Sequence, residues 1–221
     1  MFTLDSDGVF RAGNLSSVAG LLHGFGTRAP SNWPGDMPTA IVRQVHSSRV
    51  VVVDGPGEYG QADALITNRS GFLLAIRTAD CVPVLLVDPA THTVAAVHAG
   101  WRGTVAGILR ETLRAMSERF GTRIPDVLVA IGPAIGQCCF EVGPEVAGAF
   151  QPWFPERPDL DRKTNLDLRE ANARQLQAAG VRGANITILD KCTRCEAGLF
   201  HSWRRDADRS GRLISGVGWE I

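Results

Sequence analysis

Two apolar runs, VPVLLVD and TVAAVHA, constrain the fold of this chain more than any other feature. A strand with one face in water alternates apolar and polar residues, whereas a strand covered on both faces reads as a continuous hydrophobic run. The two runs therefore predict strands, Pro83–Asp88 and Thr93–His98, buried inside a layered domain. Other compact, β-branched segments predict further strands at Ile41–Val45, Arg49–Asp54, Ala64–Thr67, Phe72–Thr78, Val127–Ile131, Ile186–Leu189 and Ile214–Val217. Two segments carry helical spacing instead. After Gly103, the residues Val105, Ile108, Leu109, Thr112, Leu113, Met116 and Phe120 fall on one face, and Gly121 ends the pattern. A second helix is expected from Leu168 to about Ala179, opened by an Asp167-x-x-Glu170 capping pattern and stopped by Gly180. Many strands and few helices imply an α+β fold of α/β type, with mixed β-sheets flanked by helices in an α/β/β/α layering.

The proline-rich stretches Thr27–Thr39 and Gln151–Lys163 are expected to be surface loops. Neither is flanked by a change in composition, so residues 1–221 are expected to form a single catalytic domain, as a monomer or a homodimer. At this length a domain buries roughly 70% of its unfolded surface, and 44% hydrophobic residues are enough for a full core without disulfides. The chain holds 23 basic and 23 acidic residues. That balance argues against a broad grip on nucleic acid or on an anionic membrane, while leaving room for a local basic pocket. The first residues, MFTLDSDGVFRAGNL, lack both the basic start and the apolar stretch of a signal peptide, and no apolar run approaches a membrane span. A cytoplasmic location is expected. Five cysteines, an odd number with Cys138 and Cys139 adjacent, read in a reducing compartment as thiol or metal chemistry rather than a disulfide framework.

Candidate chemistry begins with two of the five histidines. His46 closes the run IVRQVH, and His98 closes TVAAVH. Cys81 lies in Thr78-Ala79-Asp80-Cys81, at the break between two apolar strands. Strand-to-loop junctions are where rigid scaffolds present reactive groups. One thiolate and two imidazoles make a three-ligand Zn²⁺ site with a fourth position open. The residues alone also permit a plainer reading, in which the histidines are satisfied structural groups and Cys81 is a small buried hydrophobe.

The blocks Arg43-Gln44-Val45-His46, Thr78-Ala79-Asp80-Cys81-Val82-Pro83 and Val97-His98-Ala99-Gly100-Trp101-Arg102-Gly103 resemble signature blocks of one family. So do Ile131-Gly132-Pro133-Ala134-Ile135-Gly136 through Cys139-Phe140-Glu141-Val142, and Cys192-Thr193 through Ser202-Trp203-Arg204-Arg205-Asp206. This is the YfiH-like family, long labelled laccase-domain or polyphenol oxidase proteins and now described as purine nucleoside phosphorylases with adenosine deaminase activity. The resemblance extends from near His23 to Val217. It implies a catalytic zinc on His46, Cys81 and His98, with purine nucleosides (adenosine, inosine, methylthioadenosine) and phosphate as substrates.

Other positions carry expectations of their own. Arg102 is a candidate phosphate clamp, aided by helix amides beginning near Gly103; the alternative is a structural ion pair with Asp80. Asp80 is a candidate catalytic residue, either orienting a ligand histidine or acting as a general base. Cys138 and Arg204 are candidate substrate-binding residues, with packing the alternative for Cys138. His201 and Arg205 either join a phosphate pocket or lie on a solvated surface. Cys192-x-x-Cys195 has no second C-x-x-C and reads as structural or incidental. His92 is expected in an exposed turn. Gly24-Phe25-Gly26 resembles a glycine-rich loop without a dinucleotide fingerprint. Two other functions remain open: a copper-dependent polyphenol oxidase, disfavoured by a supply of only five histidines, and a non-enzymatic, zinc-stabilised regulator.

Overall fold

A computed structural model describes residues 1–28 and 33–221; part of the expected Thr27–Thr39 loop therefore lies outside the described residues. Two mixed sheets stack on each other. One runs in the order Phe2–Leu4, Val9–Ala12, Leu21–Gly26, Leu213–Trp219, Phe72–Thr78, Thr39–Arg43, Gly57–Gln61. The other runs Ile186–Ile188, Leu128–Ile131, Val82–Asp88, Thr93–Ala99, Ala64–Thr67, Val50–Val52.

The two apolar runs occupy the middle of the second sheet as an antiparallel pair, and every residue in both is buried. Side chains alternate across a strand, so each run faces two different layers. Leu85, Val87, Val94 and Ala96 meet Leu74, Ile76, Val217 and Trp219 of the first sheet. Val84, Leu86, Ala95 and Val97 instead meet Leu109, Leu113, Met116 and Leu176 of the helices. A continuous hydrophobic run is what this double burial demands.

The helices pack on that second face. The expected Leu168–Ala179 helix forms as Leu168–Ala178, its Asp167 carboxylate accepting from the Arg169 and Glu170 amides. The helix expected after Gly103 is two helices, Trp101–Val105 and Ile108–Phe120. Gly107, at φ 78°, breaks the path between them, a left-handed conformation that glycine adopts without Cβ cost. Four strands of the first sheet, at Phe2–Leu4, Val9–Ala12, Leu21–Gly26 and Gly57–Gln61, escaped the sequence reading. Gly24-Phe25-Gly26 is thus strand rather than loop; Gly24 is required because a Cβ there would lie 2.5–3.0 Å from Arg11, Val9 and Trp33. No helix among the described residues is long and apolar enough to cross a membrane.

His23, on the Leu21–Gly26 strand, is buried and accepts the Ala12 amide on Nε2 at 2.9 Å. Burial, aided by the nearby Arg11 charge, pushes its imidazole down to about 4. A base depressed in the fold stabilises the protein above its unfolded value near 6.5 and loses that contribution as pH falls toward 4. Each unit is worth about 1.4 kcal/mol, so acidification across this window is expected to remove on the order of 3 kcal/mol. Urea unfolding at pH 7, 5.5 and 4.5 measures this directly. His23→Gln should flatten the slope, and an unchanged slope would assign the acid sensitivity to other groups.

Candidate metal centre

At one end of the molecule the chain crosses between the sheets three times; one crossing, 62–63 between Gly57–Gln61 and Ala64–Thr67, carries Asp63, and the other two carry metal-type donors. The segment 44–49 leaves Thr39–Arg43 of the first sheet for Val50–Val52 of the second, and 79–81 links Phe72–Thr78 to Val82–Asp88. His46 sits in the first of these two and Cys81 in the second. His98 lies on Thr93–Ala99, paired opposite Pro83, so it emerges beside Cys81. His46, Cys81 and His98 therefore converge. Their potential donor atoms all lie within 4.8 Å of one another. The Cys81 Sγ is 3.8 Å from His46 Nε2, and the two imidazole rings are 4.8 Å apart at 74°. His46 is in a loop rather than ending a strand, with φ 61°, and Asp80 has φ 85°. Such left-handed non-glycine backbone persists only where the surroundings over-determine it.

The determinant is Asp63, which the sequence reading did not single out. Its carboxylate, fully buried, accepts from the Val45, His46 and Ser47 amides and the Ser47 hydroxyl at 2.6–3.3 Å, and from His98 Nδ1 at 2.8 Å. One group thus holds the loop bearing one imidazole and the ring of the other. With Nδ1–H engaged, the His98 Nε2 lone pair is left for the cluster. The ring-orienting role considered for Asp80 belongs to Asp63. The Asp80 carboxylate instead accepts from the Thr193 hydroxyl and the Arg204 amide, both at 2.6 Å.

Electrostatics follow the geometry. Burial raises the Cys81 thiol, but hydrogen bonding to His46 and His98 and their charges bring it down to about 6. Burial lowers His98, but Asp63 and the Cys81 sulfur bring it up to about 9. Burial likewise raises Asp63, and its His98 and Ser47 partners hold it near 2. Both shifts favour a Cys81 thiolate facing a protonated His98 in the metal-free site; the thiolate is the form that binds metals, and an ion binding there would displace the proton from His98 Nε2. Gly100 completes the fit: a Cβ there would be 2.9 Å from the His46 ring and 3.1 Å from Cys81 Sγ. The glycine of His-Ala-Gly-Trp-Arg-Gly is thus imposed by the close approach of these two side chains.

All three side chains face a cavity of about 870 Å³. Five arginines line it: Arg43, Arg77, Arg102, Arg204 and Arg212. Three stack on aromatic rings, Arg102 on Trp101 at 4.3 Å, Arg204 on Phe140 at 5.7 Å and Arg212 on Trp203 at 5.6 Å. Stacking holds a guanidinium in place while leaving its edge to hydrogen-bond. Among the described residues Arg102 makes no ion pair with Asp80. Arg204 donates to the Cys139 and Glu141 carbonyls. Arg205 is committed to Asp206 and to the Thr193, Arg194 and Phe200 carbonyls, away from the cavity lining. His201 is also absent from that lining. The substrate-lining role drawn for Cys138 does not fit its position, since its sulfur faces Cys139 and Cys195. Arg77 was overlooked, although it is the one exposed residue in the otherwise buried strand Phe72–Thr78.

Fold and site together define a two-sheet α/β protein with a His₂Cys donor set opening on an arginine-lined cavity. The chain belongs to the family described as multi-copper polyphenol oxidoreductase laccase, which it matches over residues 31–220. A purine nucleoside phosphorylase of Bacteroides thetaiotaomicron is 46% identical over 161 residues, 70% of this chain and 60% of that protein. An adenosine deaminase, RL5, from an unknown prokaryotic organism is 40% identical over 191 residues, 79% of this chain and 72% of that protein. The match to purine nucleoside phosphorylase YlmD of Geobacillus stearothermophilus likewise spans 59% of that relative's length, at 43% identity over 71% of this chain. The crystal structure of the Geobacillus stearothermophilus YlmD superposes with a TM-score of 0.90 at 30% identity, covering 100% of this chain and 99% of that one. That of Bacillus licheniformis YfiH gives 0.87 at 26% identity, covering 99% of each.

Proposed function

We propose that this chain is a zinc-dependent purine nucleoside phosphorylase that also deaminates adenosine. Phosphorolysis transfers the ribosyl group of adenosine, inosine or methylthioadenosine from the base nitrogen to a phosphate oxygen, yielding free base and ribose 1-phosphate. Deamination exchanges the C6 amino group of adenosine for oxygen from water, yielding inosine and ammonia. The observation that carries the reading is the juxtaposition of three metal-type donors with an arginine-lined cavity. The names of the relatives point the same way.

The donor set fits zinc: one thiolate and two imidazoles, close enough to share one ion, with the remaining side open to the cavity. His46, Cys81 and His98 would hold the ion, which when bound supplies Lewis acidity. The protein's own groups do the rest. Arg102, with Arg43, Arg77 and Arg212 nearby, holds the phosphate dianion and offsets charge as the glycosidic bond breaks. Trp101, Phe140 and Trp203 offer flat apolar faces to a purine. Asp80, anchored by Thr193 and the Arg204 amide, holds the Arg204 segment against the cavity and is one of three carboxylates lining it, with Glu141 and Glu145, that could exchange a proton there.

The other two readings fit less well. A polyphenol oxidase needs a further copper cluster rich in histidine. Here His23 is bonded to Ala12, and His92, in its exposed turn, stacks on Trp219 at 3.9 Å. Neither, nor His201, joins a metal-binding group among the described residues. A purely structural zinc takes four protein ligands, and the candidate fourth thiol, Cys138, lies in a different cluster.

Incubating the purified chain with adenosine, with and without phosphate, tests the function. Adenine and ribose 1-phosphate only with phosphate, plus inosine without it, are expected; no conversion under either condition would reject the reading. In the same assay Arg102→Ala should raise the phosphate KM about tenfold or more, the loss of one charge-assisted contact, and change the nucleoside KM much less. An unaltered phosphate dependence would remove Arg102 from that role.

A further inference from the structure

The second group of metal-type side chains lies outside the cavity. Cys138 and Cys139 face Cys192 and Cys195 across the turn after Ile131, and all four sulfurs lie within 4.8 Å of one another. The closest separations are 3.4 Å for Cys139–Cys195, 3.6 Å for Cys138–Cys139 and 3.7 Å for Cys138–Cys195. A disulfide brings sulfurs to about 2.05 Å, and all four thiols are free. A tetrahedral ion with metal–sulfur bonds of about 2.3 Å spaces its sulfurs at about 3.8 Å. Four thiols packed this tightly around one point match a mononuclear site, whereas clusters of several irons spread their cysteines wider.

We propose that Cys138, Cys139, Cys192 and Cys195 form a tetrathiolate site for a single zinc ion, separate from the His46, Cys81, His98 centre.

The surroundings suit bound thiolates. The Gly136 amide donates to Cys192 Sγ at 3.2 Å, as outer amides do to metal-bound sulfur. Arg194 lies beside Cys139, a cation next to a centre that four thiolates leave with two net negative charges. Four protein ligands close the coordination shell, the mark of a structural rather than catalytic zinc.

The ion's work is a clip. Cys138 and Cys139 belong to the turn that follows strand Leu128–Ile131, while Cys192 and Cys195 lead toward the Trp203–Asp206 helix. Without it, the two loops meet through the Ala134–Cys192 bridge, the Thr193 amide on the Ala134 carbonyl, the Gly136 amide on Cys192 and the Arg204 guanidinium on the Cys139 and Glu141 carbonyls. Both loops end on the cavity rim: Thr193 binds Asp80, and Cys139 offers its carbonyl to Arg204. Joining them fixes the rim without contributing a side chain to the reaction.

Metal analysis of the full chain, purified under reducing conditions, tests the site independently of the catalytic reading. Wild type is expected to hold about two zinc ions per chain and Cys81→Ala about one. In Cys81→Ala, X-ray absorption at the zinc edge should show an all-sulfur shell at about 2.3 Å. Exposed Cys138→Ser and Cys195→Ser should each lose about one zinc and melt at lower temperature, with the histidine-containing site still loaded. If Cys81→Ala retains no zinc, or retains it in a shell containing nitrogen, the proposal fails. It also fails if Cys195→Ser holds as much zinc as wild type, or if mass spectrometry finds these cysteines joined as disulfides in the freshly purified chain.

Discussion

Replacing Cys81 or His98 with alanine is expected to strip zinc from the cavity site and lower adenosine turnover by at least about 100-fold, since even outer-shell partners of a metal ligand cost 10–100-fold. The expectation rests on how little else could hold an ion there. The donors come from two sheet crossings and one strand, and nothing but Cys81 supplies sulfur among the residues lining the cavity. The fold is expected to survive. Cys81 is a small side chain at a strand junction, and the hydrophobic layers on either side of Val82–Asp88 do not depend on it. Zinc content, circular dichroism and turnover measured on one preparation decide the matter. Full activity in either variant would reject the site, and an unfolded Cys81→Ala would show that the metal or the thiol carries the fold.

The second large effect is expected from Asp63→Asn. The carboxylate accepts five hydrogen bonds in the interior, and its two oxygens leave no place for an amide NH₂. Whichever way the asparagine side chain turns, its nitrogen faces donors, and buried donors left unpaired cost about 1–3 kcal/mol each. A loss of about 3 kcal/mol corresponds to a fall in Tm of roughly 10 °C for a chain of this size. The substitution also removes the acceptor that keeps the proton on His98 Nδ1, so zinc affinity at that site should fall 10–100-fold. Metal titration combined with melting curves of zinc-free protein separates the two effects. A variant that melts lower without zinc but binds it normally would confine Asp63 to stability, and one unchanged in both would refute the arrangement.

Much of the layered architecture was legible because it follows from side-chain alternation. The boundaries Ala64–Thr67 and Phe72–Thr78 were read from sequence and form as read. The Asp167 cap is equally local, one carboxylate accepting from two amides within three residues. Four strands of the first sheet were missed for a physical reason. Gly57–Gln61 is mostly exposed, with no apolar face to announce it, and Leu21–Gly26 carries two glycines that read as a turn. The site divided in the same way. Blocks around His46, Cys81 and His98 were recognisable as blocks, yet Asp63 stands alone between alanines, and its importance comes from partners 16 to 35 residues away. The Cys192-x-x-Cys195 half of the thiol cluster was visible. It was read as structural or incidental, and adjacent Cys138 and Cys139 only as thiol or metal chemistry in general; that the two pairs meet was not legible, because Cys195 lies 57 and 56 positions along the chain from the two sulfurs it faces.

The order of residues by itself determined which segments are buried on both faces and where helices are capped, because these depend on periods of two and 3.6 residues and on contacts a few positions apart. Only the tertiary structure decided that three chain crossings meet at one sheet end, that one buried carboxylate disciplines both histidines, and that five arginines turn toward the same cavity. Those outcomes depend on which strands pair across long loops, and the free energy of that pairing resides in surfaces that exist only once the sheets have stacked.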